Sequence, residues 1–322
     1  MQIKYLIIGS GIGGLSSAAF LRQAGELDFL IIDKVKEFPY NLNNGLHYLH
    51  NIPNLPFEVL YKTIPLTEEI WNTKTNTFKK QANIFEMFEY SKKVMENLRH
   101  KSSITDPGLR TEVYVPISNN MNDLLDIFYV YIGADKFLWN KRLVQINQKS
   151  KYIKLDNDDI IGYEHLIITA PLTEIYNCCD INVIPYSLKF KPLYITNYKT
   201  TNIVPNWLIV LYMFDPKFIP YRITVLNNIL SMESLQKLTY EDEVIIKYLI
   251  GDLFDYSLTS KTEYLWETGR IFGLEPEERK IIINEFAAKD IHLIGRWATW
   301  NGKLLIDSTI EQSRQLIESL IS

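Results

Sequence analysis

The stretch "IKYLIIGSGIGGLSSAAFLRQAG", residues 3–25, constrains what this chain can fold into more than any other. "IKYLII" is a short apolar run that reads as a buried strand, and "LSSAAFLRQ" reads as a helix closed by Gly25. Between them stands Gly9-x-Gly11-x-x-Gly14, a weak motif alone but an informative one with a strand before it and a helix after it. Gly9 permits the tight turn, Gly11 lets the backbone approach a pyrophosphate, and Gly14 lets helix and strand pack closely. The helix N-terminus then offers free N–H groups and a positive dipole end to phosphates. The next strand, "DFLIID", ends at Asp33, nineteen residues after Gly14. A carboxylate there accepts hydrogen bonds from ribose hydroxyls and repels a 2′-phosphate, so an adenine dinucleotide other than NADP is expected. The motif alone does not separate NAD from FAD, and a glycine-rich turn without a ligand is the bland alternative.

At 322 residues the chain has room for two domains, or one domain with an inserted lobe. An apolar fraction of 47% with 22% charged residues excludes disorder, and a formal net charge of −4 gives no reason to expect nucleic acid or an anionic membrane as partner. The two cysteines, Cys178 and Cys179, are adjacent and ill-placed to bond each other, so a reducing cytoplasm is expected rather than a disulfide scaffold. The glycine-broken N-terminal run is not read as a secretory leader, and no run of about 18 apolar residues predicts a membrane span.

After Asp33 the simple strand and helix alternation lapses. "EFPYNLNNGLHYLHNIPNLPF", residues 37–57, reads as a long structured loop. His47 and His50 within it lack the Cys or carboxylate partners a metal would need, so no metal is expected; a satisfied loop histidine and one facing a cofactor remain open. Residues 51–110 suit a helical insert, with a helix in "FEMFEYSKKVMENLRH". A helix from Met121, a strand near 136–138, a hairpin through 143–156 and the buried strand "HLIITA" before Pro171 return to the first domain. Residues 176–285, with "WLIVLYMF", "YRITVLNNIL" and a helix in "YEDEVIIKYLIGDL", read as an antiparallel-sheet lobe that would carry the substrate.

The closing stretch "IHLIGRWATWNGKLLIDST", residues 291–309, can be read on its own terms. Gly295 ends a strand where backbone approaches something, and Arg296 offers a planar fork of donors to a pyrophosphate. Ser308 with Glu311 fits a capping box for a last helix whose N-terminus would face the ligand. A surface arginine and an ordinary capped helix are the alternative.

In order along the chain these pieces resemble the FAD-binding fold shared by the flavin amine oxidases and UDP-galactopyranose mutase. The first motif and the last carry the resemblance most specifically; "GLHYLHN" is similar to the mutases' flavin-flanking histidine segment, and "IPYRITVLNNI" to an arginine-bearing strand of their substrate lobe. The chain departs at Asn120, where glycine is usual, at 303–307 before the last helix, and at "GRIFGLEP", where the mutases carry a Tyr-rich stretch. The resemblance implies an α/β fold with a Rossmann-like FAD domain from 1–50, 111–175 and 286–322. It implies FAD contacts from Gly9, Gly11, Gly13, Gly14, Asp33, Lys34, Val144, Gly295, Arg296, Asp307, Ser308 and Thr309. It implies catalytic roles for His47 and Arg222, with Tyr221 and Arg270 binding substrate. The reaction it implies is interconversion of pyranose and furanose forms of a nucleotide sugar through reduced flavin, by an enzyme that is a candidate homodimer. An amine oxidase is the alternative, its aromatic cage supplied by Trp207, Tyr212, Phe214, Trp266 and Phe272, although such rings more often fill a core. A flavin-binding protein without catalysis is the third reading.

Overall fold

The computed structural model describes residues 1–36, 46–72, 75, 77–95, 111–179, 188–254 and 258–322. The fingerprint region folds as expected: β1 (Gln2–Ile8), α1 (Ile12–Gln23) and β2 (Phe29–Ile32), with Gly25 at φ +80° beyond the helix end. The chain then enters a second sheet through β3 (Tyr61–Asn72) and β4 (Thr77–Lys79), followed by α2 (Ile84–Met95) and β5 (Glu112–Pro116). It returns through α3 (Asn122–Ile132), β6 (Phe137–Leu138), the hairpin β7 (Leu143–Asn147) and β8 (Tyr152–Leu155), then β9 (Ile160–Ile168) and α4 (Leu172–Tyr176). The second sheet is completed by β10 (Phe190–Met213), β11 (Arg222–Ser234), α5 (Tyr240–Phe254) and β12 (Leu258–Ile271). Last come α6 (Pro276–Ala287), β13 (Ile291–Leu293), a short α7 (Gly295–Ala298) and α8 (Ile306–Ile321).

In the first sheet β6, β2, β1, β9 and β13 run parallel in that order, and the antiparallel β7–β8 hairpin pairs with the early part of β9. Both faces are covered, which is why β1 is apolar at every position from Tyr5 to Ile8 rather than alternating. α1, α3 and α8 cover one face around Leu15, Phe20, Leu125, Phe128 and Ile317; Leu6, Ile168, Ile282, Phe286 and Trp300 fill the other. Small residues let α1 and α8 lie close. Ser16 Oγ donates to Ser313 Oγ at 2.8 Å, and a Cβ on Gly13 would already touch Thr309 and Ile294. With Gly13 beside Thr309 and Ser16 beside Ser313, the two helices run in the same direction.

The second sheet departs from expectation in two ways. It is mixed, because β3 runs parallel to β10 while β4, β5, β11 and β12 pair antiparallel. The segment expected as a helical insert contributes β3, β4 and α2, so it is part of this sheet, and β5 joins it there rather than in the first domain. "YKTIPLTEEIWN" places Ile64, Leu66 and Ile70 at period two among β-branched residues, a strand signal overshadowed by Lys62 and Glu68 at the same period. The helix expected in 85–100 is described from Ile84 to Met95, and the remainder lies outside the described residues.

Packed across β1, β9 and β13 is a small cluster of rings: Tyr5 stacks on His165 at 5.3 Å, and His165 lies 5.7 Å from His292. His165 Nδ1 and His292 Nε2 are buried without hydrogen-bond partners. Burial, reinforced by the neighbouring His165, draws His292 down to about 4, and burial lowers His165 as well. The unfolded chain therefore binds more protons than the folded one below about pH 6.5, and stability falls as pH drops from there toward 4. Urea titrations across this window should show a slope of up to about 1.4 kcal/mol per pH unit from His292. His292→Asn should flatten it, and an unchanged slope would remove this histidine as its cause.

Candidate functional site

A cavity of about 840 Å³ runs between the two sheets, from Asp33 and Glu174 past Gly11 to Arg222 and Trp266. That is at the upper end of the roughly 300–1,000 Å³ spanned by ligand pockets, room for a ligand larger than a mononucleotide.

Local chemistry builds its first half. Gly9 sits at φ +101°, where a Cβ would stand 2.4 Å from Thr169 Oγ1, and a Cβ on Gly14 would stand 1.9 Å from the Gly9 carbonyl oxygen. A Cβ on Gly11, by contrast, would meet nothing within 4 Å and would point into open space at the cavity wall. Gly9 and Gly14 are thus demanded by packing, and Gly11 by whatever occupies the cavity. Gly11 caps α1, so the first N–H groups of the helix have no intrahelical carbonyl to bond. Gly11, Ile12 and Gly13 all line the cavity there. α8 begins beside it with Leu305 as its cap, and Leu304, Leu305, Ile306 and Thr309 line the same wall. Two parallel helices therefore direct their positive ends to one place.

Asp33 follows β2, and its Oδ2 accepts from the Ser10 N–H at 2.6 Å and the Ser10 hydroxyl at 2.7 Å. Its Oδ1 accepts from the Val35 N–H at 3.1 Å. These bonds hold the carboxylate at the cavity wall and leave lone pairs for a diol. Lys34 lines the same end but is tied to Glu174, 2.7 Å from Oε1.

The second half gathers charge. Arg222 Nε donates to Glu233 Oε1 at 3.0 Å, and the Tyr221 hydroxyl donates to Glu233 Oε2 at 2.5 Å. Burial opposes ionisation of Glu233, yet Arg222 and these hydrogen bonds hold it below the ordinary carboxylate range. Arg270 lies over the Tyr221 ring at 5.8 Å, and Arg296 Nε donates to the Leu304 carbonyl at 3.0 Å. Among the described residues neither Arg270 nor Arg296 has an ion-pair partner. Burial and the nearby Arg270 and Arg222 pull Arg296 down to about 10, a sign of crowded positive charge. Glu68, hydrogen-bonded by Tyr212 at 3.2 Å, is raised by burial. His47 lines the cavity with its ring parallel to Trp266 at 6.2 Å and its Nε2 buried without a partner. Burial, with Arg222 and Arg296 adding to it against the pull of Glu233, takes His47 down to about 4, so it is a neutral imidazole at pH 7.

The bend of the second sheet makes this cluster. Arg222 and Glu233 lie eleven residues apart on β11, a span of roughly 36 Å if extended. Yet the Tyr221 N–H donates to the Glu233 carbonyl at 3.0 Å. Asn206 and Asn227, both at φ +54°, lie where the β10–β11 register shifts, and there the paired strands fold back on themselves.

Of the residues expected to hold the cofactor, Gly9, Gly11, Gly13, Asp33, Lys34, Gly295, Arg296 and Thr309 line the cavity, as do His47, Tyr221, Arg222 and Arg270. Others require correction. Gly14 serves helix packing. Val144 is 42% exposed on a strand where neighbours alternate faces, and Leu143 lines the cavity instead. Asp307 is buried, with Oδ2 accepting from the Asn51 N–H and Nδ2, both at 3.0 Å; it ties the 46–51 segment to α8. Ser308 is exposed, and the capping box does not form because the cap is Leu305, three residues earlier; Glu311 pairs with Arg314. Of the aromatic cage only Tyr212 and Trp266 face the cavity. Trp207 is 46% exposed, while Phe214 and Phe272 are core residues. Glu233, Glu68 and Tyr90 were not anticipated, since nothing local distinguishes them from other strand or helix residues.

A family model described as an NAD(P)-binding Rossmann-like domain matches residues 7–56. A search of curated proteins by sequence found no match. Among solved structures, a reduced UDP-galactopyranose mutase is 14% identical with a TM-score of 0.72, over 99% of this chain and 95% of that one. A putrescine oxidase variant redesigned for cofactor binding is 11% identical with a TM-score of 0.61, over 100% and 99% of the two chains. A CLA-producing fatty acid isomerase from P. acnes is 12% identical with a TM-score of 0.60, over 99% of each chain. At these identities the likeness establishes the fold: α/β, with a Rossmann-like dinucleotide domain and a second sheet, as in FAD flavoproteins. No helix among the described residues is long and apolar enough to cross a membrane.

Proposed function

We propose that this chain is an FAD enzyme acting on an anionic nucleotide-linked sugar, most simply the exchange of pyranose and furanose forms. The observation that carries the reading is the set of three arginines, Arg222, Arg270 and Arg296, in a cavity continuous with the dinucleotide fingerprint, two of them without ion-pair partners among the described residues. A diphosphate would neutralise that excess, whereas a protonated amine would be repelled by it, which disfavours an amine oxidase. FAD is favoured over NAD because the cavity offers two helix N-termini and extends well beyond the half that a nicotinamide dinucleotide motif requires. In this reading Asp33 holds the ribose, Gly11 to Gly13 and the α8 N-terminus hold the phosphates, and Trp266 with His47 flanks the reacting end. Bound and reduced, the flavin would supply the electron pair for exchange at the anomeric carbon. Arg222 and Arg270 orient the diphosphate, the neutral His47 adds no further positive charge, and Tyr221, its phenol raised by burial and Glu233, serves as a hydrogen-bond donor. Cys178 and Cys179 form no disulfide with each other, which suits a reducing cytoplasm.

The purified protein should be yellow, with an oxidised flavin spectrum, and should interconvert the ring forms of UDP-galactose anaerobically after dithionite. Peroxide from amines without ring exchange would move the assignment to the oxidases, and a colourless protein that binds NAD would overturn it. Because a Cβ on Gly11 enters the cavity rather than the core, Gly11→Val should fold with stability within about 1 kcal/mol of wild type yet retain at most about a tenth of the flavin. Flavin content equal to wild type would show that the cradle is not at Gly11.

A further inference from the structure

Lys93 projects from α2, a turn beyond Tyr90, and its ammonium donates to four backbone carbonyls: Met213 at 3.1 Å, Asp215 at 3.0 Å, Pro220 at 2.8 Å and Phe218. An ammonium has only three protons, so four converging carbonyls make a cage of the kind that holds a bare monovalent cation. Met213 ends β10 and the other three lie in the connection from it to β11, where Pro220 immediately precedes Tyr221 and Arg222. Beside the cage, Met213 N–H donates to the Tyr221 carbonyl, Phe218 N–H to the Asp215 carbonyl at 3.2 Å and Lys217 N–H to Asp215 Oδ1 at 3.0 Å, while Phe214 and Phe218 are buried on either side. A second cavity, of about 90 Å³, lies against the cage and is lined by Lys93 and Tyr221, among others. Burial draws the amine down to about 7, which Asp215 opposes, and four aligned carbonyl dipoles favour its charged form.

We propose that the Lys93 ammonium is a tethered monovalent cation around which residues 213–220 fold, and that in fixing this turn it positions Tyr221 and Arg222 for the ligand. α2 then presents both Tyr90 to the ligand cavity and Lys93 to the turn, so a helix outside the nucleotide domain orders the anion-binding end. Lys93 is a positioning residue, since it touches backbone and not the ligand.

A structural lysine and a cation site differ in whether a free cation can replace the side chain. Lys93→Ala leaves the cage and a channel to it. Its melting temperature should fall and should be regained in ethylammonium or potassium chloride, but not in tetramethylammonium chloride at equal ionic strength; equal responses to all three would overturn the cage. UDP affinity, measured by calorimetry, should weaken about tenfold in Lys93→Ala and return with the same small cations, with flavin content unchanged throughout. UDP affinity equal to wild type in Lys93→Ala without added cation would overturn the positioning role. That affinity arm rests on the proposed function, and the thermal arm does not: absence of UDP binding by wild-type protein would count against the nucleotide-sugar reading, with cation rescue of melting still testing the cage. Should Lys93→Ala fail to fold, Lys93→Met, which fills the channel without charge, should keep its flavin, lower the melting temperature and show no cation response. Wild-type melting in Lys93→Met would overturn the proposal.

Discussion

Gly14→Ala is expected to destabilise the protein by at least about 3 kcal/mol and to abolish flavin retention. The added Cβ would stand 1.9 Å from the Gly9 carbonyl oxygen and 3.3 Å from Ile7 Cγ2. The obstacle is backbone in the turn that follows β1, so no rotamer change can relieve it. To make room α1 must move away from β1, and α1 cannot move alone. Residues Gly13 to Leu21 are all buried, and Ser16 is bonded to Ser313 on α8. Displacing α1 would therefore disturb both helix N-termini at the phosphate end of the cavity. Urea denaturation with flavin fluorescence on the released fraction measures both effects. Stability within 1 kcal/mol of wild type would show that the fingerprint turn is more compliant than its contacts imply. The contrast with Gly11→Val is the point of the pair: the first change should remove the fold's support, the second only its ligand.

Glu233→Gln should be the more informative break in the second half of the site. The amide keeps an oxygen to accept from Tyr221 but removes the charge that balances Arg222. Breaking a fully buried pair costs about 3–5 kcal/mol; the Arg222 side chain is 30% accessible on the cavity side, which reduces the expectation to about 2–3 kcal/mol. Combining it with Arg222→Met removes the uncompensated guanidinium and should restore most of that stability, since a buried pair replaced on both sides is close to neutral. UDP affinity should not return in the double variant, because the lost arginine is the group offered to the phosphate. A double variant no more stable than Glu233→Gln alone would show that the pair is not coupled as its geometry indicates.

Much of the first domain was legible because its signals are local. A glycine whose Cβ would meet the preceding turn, an acid at the end of the second strand and the apolar run from Tyr5 to Ile8 are each read from residues close together in the chain. The closing segment was legible in outline. Gly295 is at φ +88° and Arg296 lies at the cavity wall, but Asp307, expected at the cofactor, is bonded to Asn51 and does not line the cavity. Its partner Asn51 lies 256 residues away, and no local pattern reports such a bond.

The second sheet was less legible for a related reason. With Lys62, Glu68 and Glu69 among its apolar residues, β3 resembles a solvated insert until β10 is laid beside it in parallel register. The sequence by itself determined that this chain builds a strand–turn–helix cradle for an adenine dinucleotide, because backbone sterics and helix N-terminal N–H groups act within a few residues. Only the tertiary structure decided what stands opposite that cradle. Arg222 meets Glu233 because β10 and β11 bend back at Asn206 and Asn227, and Arg270 and Arg296 arrive from separate elements. Charges crowded this closely interact through space at distances that chain order does not encode, so the chemistry of the site follows from the packing of the two sheets.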